Sequence, residues 1–184
     1  MRLLRAASGN LKAAAEADFL AEVASTVRAL TPAVVVECGS GLSTLVLGAI
    51  TRTSSCRIVS LEQDASWLAK TQRDIARFRL ESVQIVHAPL VSRGDFSWYS
   101  LPNELPDRID VVVCDGPPGD TPGGRYGLVP TLRDRLSGST ILVDDANRPA
   151  ERSAIGKWQS EYRADVSWKP EFKRGLAVVR MPSP

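Results

Sequence analysis

Short β-branched segments alternate with amphipathic segments along most of this 184-residue chain. The β-branched segments show no polar alternation, which is typical of strands that are buried on both faces of a parallel sheet. The amphipathic segments carry apolar residues three or four positions apart, as helices with one buried face do. The pattern predicts strands at 33–38, 57–61, 83–86, 109–114 and 140–143, and helices at about 11–30, 43–50, 64–78 and 129–136 and from 149 to about 162.

The last two apolar segments break this alternation. Residues 164–168 and 176–179 predict two strands with about seven residues between them. A parallel crossover needs a dozen residues or more, so this pair must form an antiparallel hairpin. We therefore predict an α/β fold with a doubly wound (Rossmann-like) sheet, mostly parallel with an antiparallel C-terminal hairpin strand. The length predicts a single domain over 1–184, with an N-terminal helix at about 11–30 and a core at about 33–181.

Two segments show neither the apolar pattern of a buried strand nor the spacing of an amphipathic helix. Residues 88–108 contain prolines and a glycine at intervals and predict a long functional loop. Residues 116–124, with the sequence G-P-P-G-D-T-P-G-G, cannot form regular structure. Both follow predicted strands, so we expect them to flank a ligand site and to close over a bound acceptor.

Composition excludes several classes of function. His87 is the only histidine, which excludes metal sites that need several histidines. The net charge of +2, from 23 basic and 21 acidic residues, argues against nucleic acid or an anionic membrane as a partner. Cys38, Cys56 and Cys114 are odd in number and widely spaced, as reduced thiols of a cytoplasmic protein are. No signal-peptide core and no run of about 18 apolar residues is found, so we expect a cytoplasmic protein.

The first predicted strand leads into a glycine turn that can bind a ligand. Gly39 and Gly41 allow a tight turn and a close approach of the backbone, and the next helix offers free N–H groups. Glu62 ends the second strand about 21 residues later, where an acid can accept hydrogen bonds from ribose hydroxyls. The alternative role of Glu62 is to cap the helix near Asp64. The turn and the acid together favour an adenosine ligand.

The sign of the charge in this turn distinguishes between adenosine ligands. Glu37 lies directly before the glycines, where it would repel a pyrophosphate but suit a cationic ligand. A dinucleotide would favour a third glycine, and Thr44 stands at that position. S-adenosylmethionine carries a sulfonium and an ammonium group, so it fits better. A P-loop is excluded because no G-K-[ST] follows the glycines.

Motifs in a fixed order support this interpretation. E-C-G-S-G-L-S-T, S-L-E-Q-D, V-H-A-P-L, W-Y, V-C-D-G-P-P-G and L-V-D-D-A-N-R-P-A-E-R resemble those of class I S-adenosylmethionine-dependent methyltransferases. They are most similar to the bacterial branch often called methyltransferase family 24, over about residues 15–180. The resemblance implies the strand order 3-2-1-4-5-7-6. It implies that Glu37, Gly39 and Gly41 line the methionine end of the cofactor and that Glu62 binds the ribose.

The resemblance also implies that His87 and Ala88 lie near the adenine. Many relatives have an acid in place of His87, and the alternative role of His87 in this chain is to cap its strand. The full set of candidate cofactor-binding residues is Glu37, Gly39, Ser40, Gly41, Ser43, Thr44, Glu62, Gln63, His87, Ala88 and Asp115.

Three aspartates are the candidate catalytic residues. Asp115 follows the fourth strand, and Asp144 and Asp145 follow the fifth, so they should converge at the carboxyl edge of the sheet. Related metal-dependent O-methyltransferases hold Mg²⁺ with carboxylates at similar positions, which makes Mg²⁺ a candidate second cofactor. In this chain Gly116 and two prolines follow Asp115, where those enzymes add a further ligand. The alternative is that Asp145 or Asn147 caps the next helix.

Two further groups are candidates for binding the acceptor. Trp98 and Tyr99 would offer an aromatic surface, or alternatively would pack beneath the loop. Arg125 lies in a segment that also resembles glucuronoxylan methyltransferases, where it would pair with an acceptor carboxylate. A surface arginine at a helix start is the alternative.

The predicted function is S-adenosylmethionine-dependent methyl transfer, to oxygen on a small molecule or sugar. One alternative is an NAD(P)-dependent oxidoreductase, which Thr44 and the terminal hairpin disfavour. Another is a protein that retains the cofactor pocket without catalysis. The partners expected are a small-molecule or sugar acceptor, with no nucleic acid and no membrane. A homo-oligomer is compatible with the sequence.

Overall fold

A computed structural model describes residues 17–183 of the chain. Of the predicted N-terminal helix, residues 11–16 lie outside the described part. The strands are β1 (Val34–Cys38), β2 (Arg57–Glu62), β3 (Val83–His87), β4 (Leu90–Ser92), β5 (Ser97–Tyr99), β6 (Val111–Cys114), β7 (Thr140–Val143), β8 (Asp165–Lys169) and β9 (Leu176–Arg180). The helices are α1 (Ala17–Leu30), α2 (Leu42–Ile50), α3 (Ala65–Phe78), α4 (Leu128–Leu132) and α5 (Pro149–Tyr162), with 3₁₀ turns at Gly124–Gly127 and Arg133–Arg135.

Seven of the strands form one sheet in the order β3-β2-β1-β6-β7-β9-β8. β1, β2, β3, β6 and β7 are parallel, whereas β9 runs antiparallel to both β7 and β8. The predicted doubly wound sheet and its antiparallel C-terminal hairpin are therefore confirmed. The observed order is also the one that the resemblance implies. Because β1 and β6 lie side by side although β2 and β3 follow β1 in the chain, the sheet changes winding direction between them, which is where such sheets bind ligands.

Apolar layers cover both faces of the central strands. In β1, Val35 packs on the side of Phe19 and Val23 of α1, whereas Val36 packs on the side of Trp158 of α5. All of these side chains are buried. Two-sided burial explains why the strands read as continuous apolar segments without polar alternation. It also fixes the carboxyl edge of the sheet rigidly beneath the loops.

The segment 88–108 is not the irregular loop that the sequence predicts. β4 and β5 pair as a short antiparallel hairpin, with Val91 opposite Trp98. Trp98 and Tyr99 are fully buried, with their rings edge to face at 5.2 Å. The prediction of an open aromatic surface at Trp98 and Tyr99 is therefore wrong, and their alternative role in packing is the one observed. Among the described helices, none is long and apolar enough to cross a membrane.

Candidate active site

A cavity of about 430 Å³ opens at the carboxyl edge of the sheet, above β1, β2 and β6. This volume lies within the usual range of about 300–1,000 Å³ for small-molecule sites. Its lining combines predicted residues with several that the sequence did not single out. The lining residues are Gly39, Ser40, Glu62, Gln63, Asp64, Trp67, Asp115, Gly116, Pro117, Pro118, Gly119, Asp145, Arg148 and Arg174.

The turn after β1 requires glycine at its first position. Gly39 has a φ of 89°, in the left-handed region that side chains disfavour. A Cβ atom there would also lie 3.0 Å from the backbone nitrogen of Gly116. The turns after β1 and β6 thus contact each other through bare backbone. This close contact shapes the floor of the cavity.

Glu62 anchors this turn to the end of β2. Its Oε2 accepts hydrogen bonds from the backbone nitrogen of Ser40 at 2.9 Å and from Ser40 Oγ at 2.7 Å. Its Oε1 accepts from the backbone nitrogen of Asp64 at 2.9 Å. The cap of α3 is Asp64 itself, whose Oδ1 accepts from the backbone nitrogen of Trp67. Glu62 therefore lines the cavity with a carboxylate whose orientation is fixed before any ligand arrives.

Glu37 lies beneath the turn and not on the cavity wall. Its carboxyl group is fully buried, and its Oε2 accepts from Thr44 Oγ1 and Ser60 Oγ, each at 2.5 Å. Burial raises the pKa of Glu37 to about 7, although the neighbouring hydroxyls oppose that rise. Thr44 Oγ1 also accepts from the backbone nitrogen of Gly41 at 2.8 Å. Glu37, Thr44 and the buried Ser43 thus support the turn from below, and none of the three lines the cavity.

Neither of the two residues predicted near the adenine, His87 and Ala88, lines the cavity. His87 is exposed, with Nε2 3.2 Å from the carbonyl oxygen of Gln63, and Ala88 is buried. Gln63, another candidate cofactor-binding residue, does line the cavity. The backbone nitrogen of Ala88 donates to the carbonyl oxygen of Glu62 at 2.7 Å. Trp67, which the sequence analysis did not select, lines the cavity and donates from Nε1 to the carbonyl oxygen of Ser40. Its position three residues after the Asp64 cap was the available signal.

The three aspartates do converge. One carboxylate oxygen from each of Asp115, Asp144 and Asp145 lies within 4.8 Å of the others. Asp115 and Asp145 line the cavity, whereas Asp144 is buried behind them. Neither Asp145 nor Asn147 caps α5, which begins with Pro149 and has no side-chain cap. The helix-cap alternative is therefore wrong.

Arg125 occupies the centre of this cluster. Its side chain is 1% exposed, so the prediction that it faces an acceptor carboxylate is wrong, as is the alternative of a surface arginine. Its Nη1 donates to the carbonyl oxygens of Cys114 and Asp144, and its Nη2 donates to that of Asp115. Its Nη2 also lies 3.1 Å from Asp145 Oδ2. The guanidinium therefore ties together the ends of β6 and β7.

Two more arginines reach Asp145 from the rim of the cavity. Arg148 Nη2 lies 2.9 Å from Asp145 Oδ2, and Arg174 Nη1 lies 3.7 Å from Asp145 Oδ1. Burial raises the pKa of Asp115, and Arg125 opposes that rise. Burial, followed by the charge of Asp115, raises the pKa of Asp144 to about 7. The cluster thus contains carboxyl groups that titrate nearer to neutrality than aspartate usually does.

The residues do not fit a divalent cation well. Three carboxylates are the ligand type that Mg²⁺ prefers. However, both oxygens of Asp145 form ion pairs with arginines. In addition, Asp144 Oδ1 accepts a hydrogen bond from the backbone nitrogen of Asp145. A bound dication would lie next to these guanidinium groups and repel them. The arginines therefore already neutralise Asp115 and Asp145, two of the three carboxylates that would hold the metal.

A second cavity of about 550 Å³ adjoins the first, since both are lined by Gly119. The rings of Phe96 and Tyr126 meet edge to face in its wall, 5.4 Å apart. Ser153 and Lys157 of α5 form another part of the wall. The cavity thus offers aromatic surface with a charged rim beside the candidate catalytic aspartates.

No family model matches this chain. No curated protein matches it in sequence either. Solved structures do share its fold. A methyltransferase of Podospora anserina with bound S-adenosylhomocysteine superimposes with a TM-score of 0.76 at 19% identity, over 99% of this chain and 86% of that chain.

Two other methyltransferase structures give a similar picture. A methyltransferase from Geobacter sulfurreducens has a TM-score of 0.74 at 14% identity, over 100% of this chain and 90% of that one. An O-methyltransferase from Bacillus cereus in complex with S-adenosylhomocysteine has a TM-score of 0.69 at 15% identity, over 98% and 89%. This likeness does not distinguish the family 24 branch from others. It does show that the chain has the Rossmann-like fold of the class I methyltransferases.

Proposed function

We propose that this protein is an S-adenosylmethionine-dependent methyltransferase that acts on an oxygen atom of a small molecule or sugar. The observation that carries the proposal is the cavity at the change of winding direction, where Glu62, the turn at Gly39 and Asp115 meet. Two structures that share the fold hold S-adenosylhomocysteine. An O-methyltransferase is among them.

The cavity residues suit each part of this cofactor. Glu62 would accept the ribose hydroxyls, because its Oε1 holds only one hydrogen bond. Trp67 and Gln63 would face the adenine from the same wall. Asp115 and the backbone at Gly39 would face the methionine end, where a carboxylate attracts the ammonium and sulfonium charges. The bound cofactor would supply an electrophilic methyl group on sulfur.

Asp115 is the proposed general base. Its side chain is 24% exposed, and it is the aspartate of the cluster with the most access to the cavity. Its carboxylate would take the proton of the acceptor hydroxyl as that oxygen attacks the methyl carbon in line with the breaking bond to sulfur. A raised pKa suits this role, because a carboxylate with the usual aspartate pKa is a weak base. No step is assigned to Mg²⁺, since arginines occupy the surroundings of the carboxylates.

The second cavity is the proposed acceptor site. It meets the cofactor cavity at Gly119, so an acceptor bound there could extend a hydroxyl toward Asp115. Phe96 and Tyr126 would pack against a flat apolar face of the acceptor. Charged groups at the rim, among them Lys157, would bind its polar substituents.

An oxidoreductase is the rival function, and one contact weighs against it. Thr44 stands where a dinucleotide site favours a third glycine, and its side chain is buried and bonded to Glu37. A binding protein without catalysis would need no acceptor cavity beside the aspartates.

The test is a screen of hydroxylated aromatic and sugar acceptors with methyl-labelled S-adenosylmethionine. We expect label in at least one acceptor class, with an equal amount of S-adenosylhomocysteine formed. Asp115→Asn should lose transfer while still binding S-adenosylhomocysteine. Equal transfer by this variant would remove Asp115 from catalysis. Cofactor binding without transfer to any acceptor class would favour the binding protein.

A further inference from the structure

The most unusual group in the molecule is the buried guanidinium of Arg125. It spans the carbonyl oxygens of Cys114, Asp115 and Asp144 at the ends of two adjacent parallel strands. These carbonyls all present partial negative charge to one point. Together with the nearby carboxylates they create a site that demands a cation.

The carboxylates around Arg125 come from three different elements. Asp145 Oδ2 lies 3.1 Å from its Nη2, Asp115 Oδ1 lies 3.6 Å from the same atom, and Glu151 Oε1 lies 3.8 Å from its Nε. Arg148 adds ion pairs with Asp145 and with Glu151. Arg125 and Arg148 thus place two positive charges among these carboxylates.

The local sequence explains how an arginine comes to be buried here. Gly123 and Gly124 have φ values of 75° and 54°, so two successive residues adopt the left-handed conformation where the 3₁₀ turn begins. Gly127 lies against Trp98, where a Cβ atom would come within 2.9 Å of the indole ring. This segment therefore folds closely onto the core and directs Arg125 inward.

We infer that Arg125 takes the place of a divalent cation and positions Asp115 for catalysis without metal. The positioning of Asp115 for catalysis rests on the proposed function, whereas the replacement of a cation by the guanidinium charge does not. Arg125 is a positioning residue: it contacts Asp115 through both the backbone oxygen and the carboxylate, and it does not face the cavity. Its guanidinium supplies the charge that Mg²⁺ would otherwise supply. Its fork also fixes the direction of the Asp115 side chain.

The decisive experiment is Mn²⁺ binding, followed by electron paramagnetic resonance, because it needs no knowledge of the acceptor. We expect the wild-type protein and Asp145→Asn to bind Mn²⁺ equally, because the wild-type cluster does not hold the ion. A wild-type site that disappears in Asp145→Asn would overturn the inference. Arg125→Ala should gain Mn²⁺ binding by about tenfold or more, since Asp115 loses its ion pair and Asp145 and Glu151 each lose one of theirs. A folded Arg125→Ala without that gain would also overturn it.

Turnover gives a second, separate readout. We expect chelator to leave wild-type turnover unchanged. Arg125→Ala should lower kcat by about 100-fold, with the S-adenosylhomocysteine Kd within about threefold of wild type. Methylguanidine should restore part of that kcat, which a purely structural role would not produce. Arg125→Lys keeps the charge without the fork, and serves if the alanine variant does not fold. Loss of turnover on chelation, with Mg²⁺ restoring it, would contradict the inference and leave the proposed methyl transfer intact.

Discussion

Glu62 is both the anchor of the glycine turn and the proposed partner of the ribose hydroxyls. In Glu62→Gln the charge disappears, and the new amide group must face either the two donors of Ser40 or the backbone nitrogen of Asp64. A charge-assisted hydrogen bond contributes about 1.5–3 kcal/mol, so we expect S-adenosylhomocysteine to bind about 10- to 150-fold more weakly. Calorimetry measures this directly. Glu81→Gln, at an exposed position, is the control and should leave the affinity unchanged.

Unaltered affinity in a folded Glu62→Gln would remove this residue from the ribose. Urea unfolding of the same variant separates the two roles. A loss of stability without a loss of affinity would leave Glu62 as an anchor only.

The raised pKa of Glu37 predicts a specific pH dependence of the free energy of unfolding. Its folded pKa of about 7 lies above its ordinary value of 4.5, so the folded protein holds this proton more tightly than the unfolded chain does. The stability that Glu37 contributes is therefore present below about pH 4.5 and is lost as the pH rises toward 7. The difference in free energy of unfolding between wild type and Glu37→Gln should shrink, or turn in favour of the variant, across that window. A difference independent of pH would show that Glu37 titrates normally.

From the sequence, the position of a side chain at the carboxyl edge of the sheet could be predicted where its place at the end of a strand fixes it. Asp115, Glu62 and Gly39 lie at strand ends, and parallel strands bring their ends to one edge. The prediction failed for Arg125, because the burial and direction of this side chain depend on tertiary contacts. Ten residues separate Arg125 from Asp115, and nothing in that spacing shows that the chain folds back inward.

At the scale of elements, the β4–β5 hairpin changes the expected dynamics of the site. The sequence predicts that residues 88–108 close over the acceptor as a loop, but Trp98 and Tyr99 anchor this segment in the core. Trp98→Ala should cost about 3–5 kcal/mol of unfolding free energy through the cavity that it leaves. Val91→Ala, on the paired strand but 37% exposed, should cost less than about 1 kcal/mol.

Denaturant unfolding checks both variants. Nearly equal, small effects would mean that the hairpin is not part of the stable core. Hydrogen exchange offers a further check, since amides paired between β4 and β5 should exchange more slowly than those of the exposed Gly119 and Asp120.

The elements differ in the number of apolar positions from which they can be predicted. The five parallel strands carry three or four apolar positions each, and the two strands of the C-terminal hairpin carry six together, so periodicity and spacing suffice to predict them. β4 and β5 have three residues each, and prolines and a glycine surround them. Only their pairing and the burial of Trp98 stabilise them, and neither can be read along the chain.

At the scale of the whole molecule, two adjoining cavities divide the cofactor from the acceptor. Ser153→Trp places a large side chain into the second cavity from the exposed face of α5. We expect the acceptor KM to rise about tenfold or more, with S-adenosylhomocysteine affinity unchanged, because only the acceptor site is filled. Gln159→Trp, exposed on the same helix but away from the cavity lining, is the matched control. An unchanged acceptor KM in Ser153→Trp would place the acceptor elsewhere.

The central claim concerns the identity of the cofactor, and calorimetry on the wild-type protein tests it most directly. We expect S-adenosylhomocysteine to bind at one site per chain, while NADH shows no binding under the same conditions. This result follows from the cavity in which Glu62 and Asp115 favour a cationic adenosine ligand over a pyrophosphate. Saturable binding of NADH, with none of S-adenosylhomocysteine, would contradict the account and support an oxidoreductase.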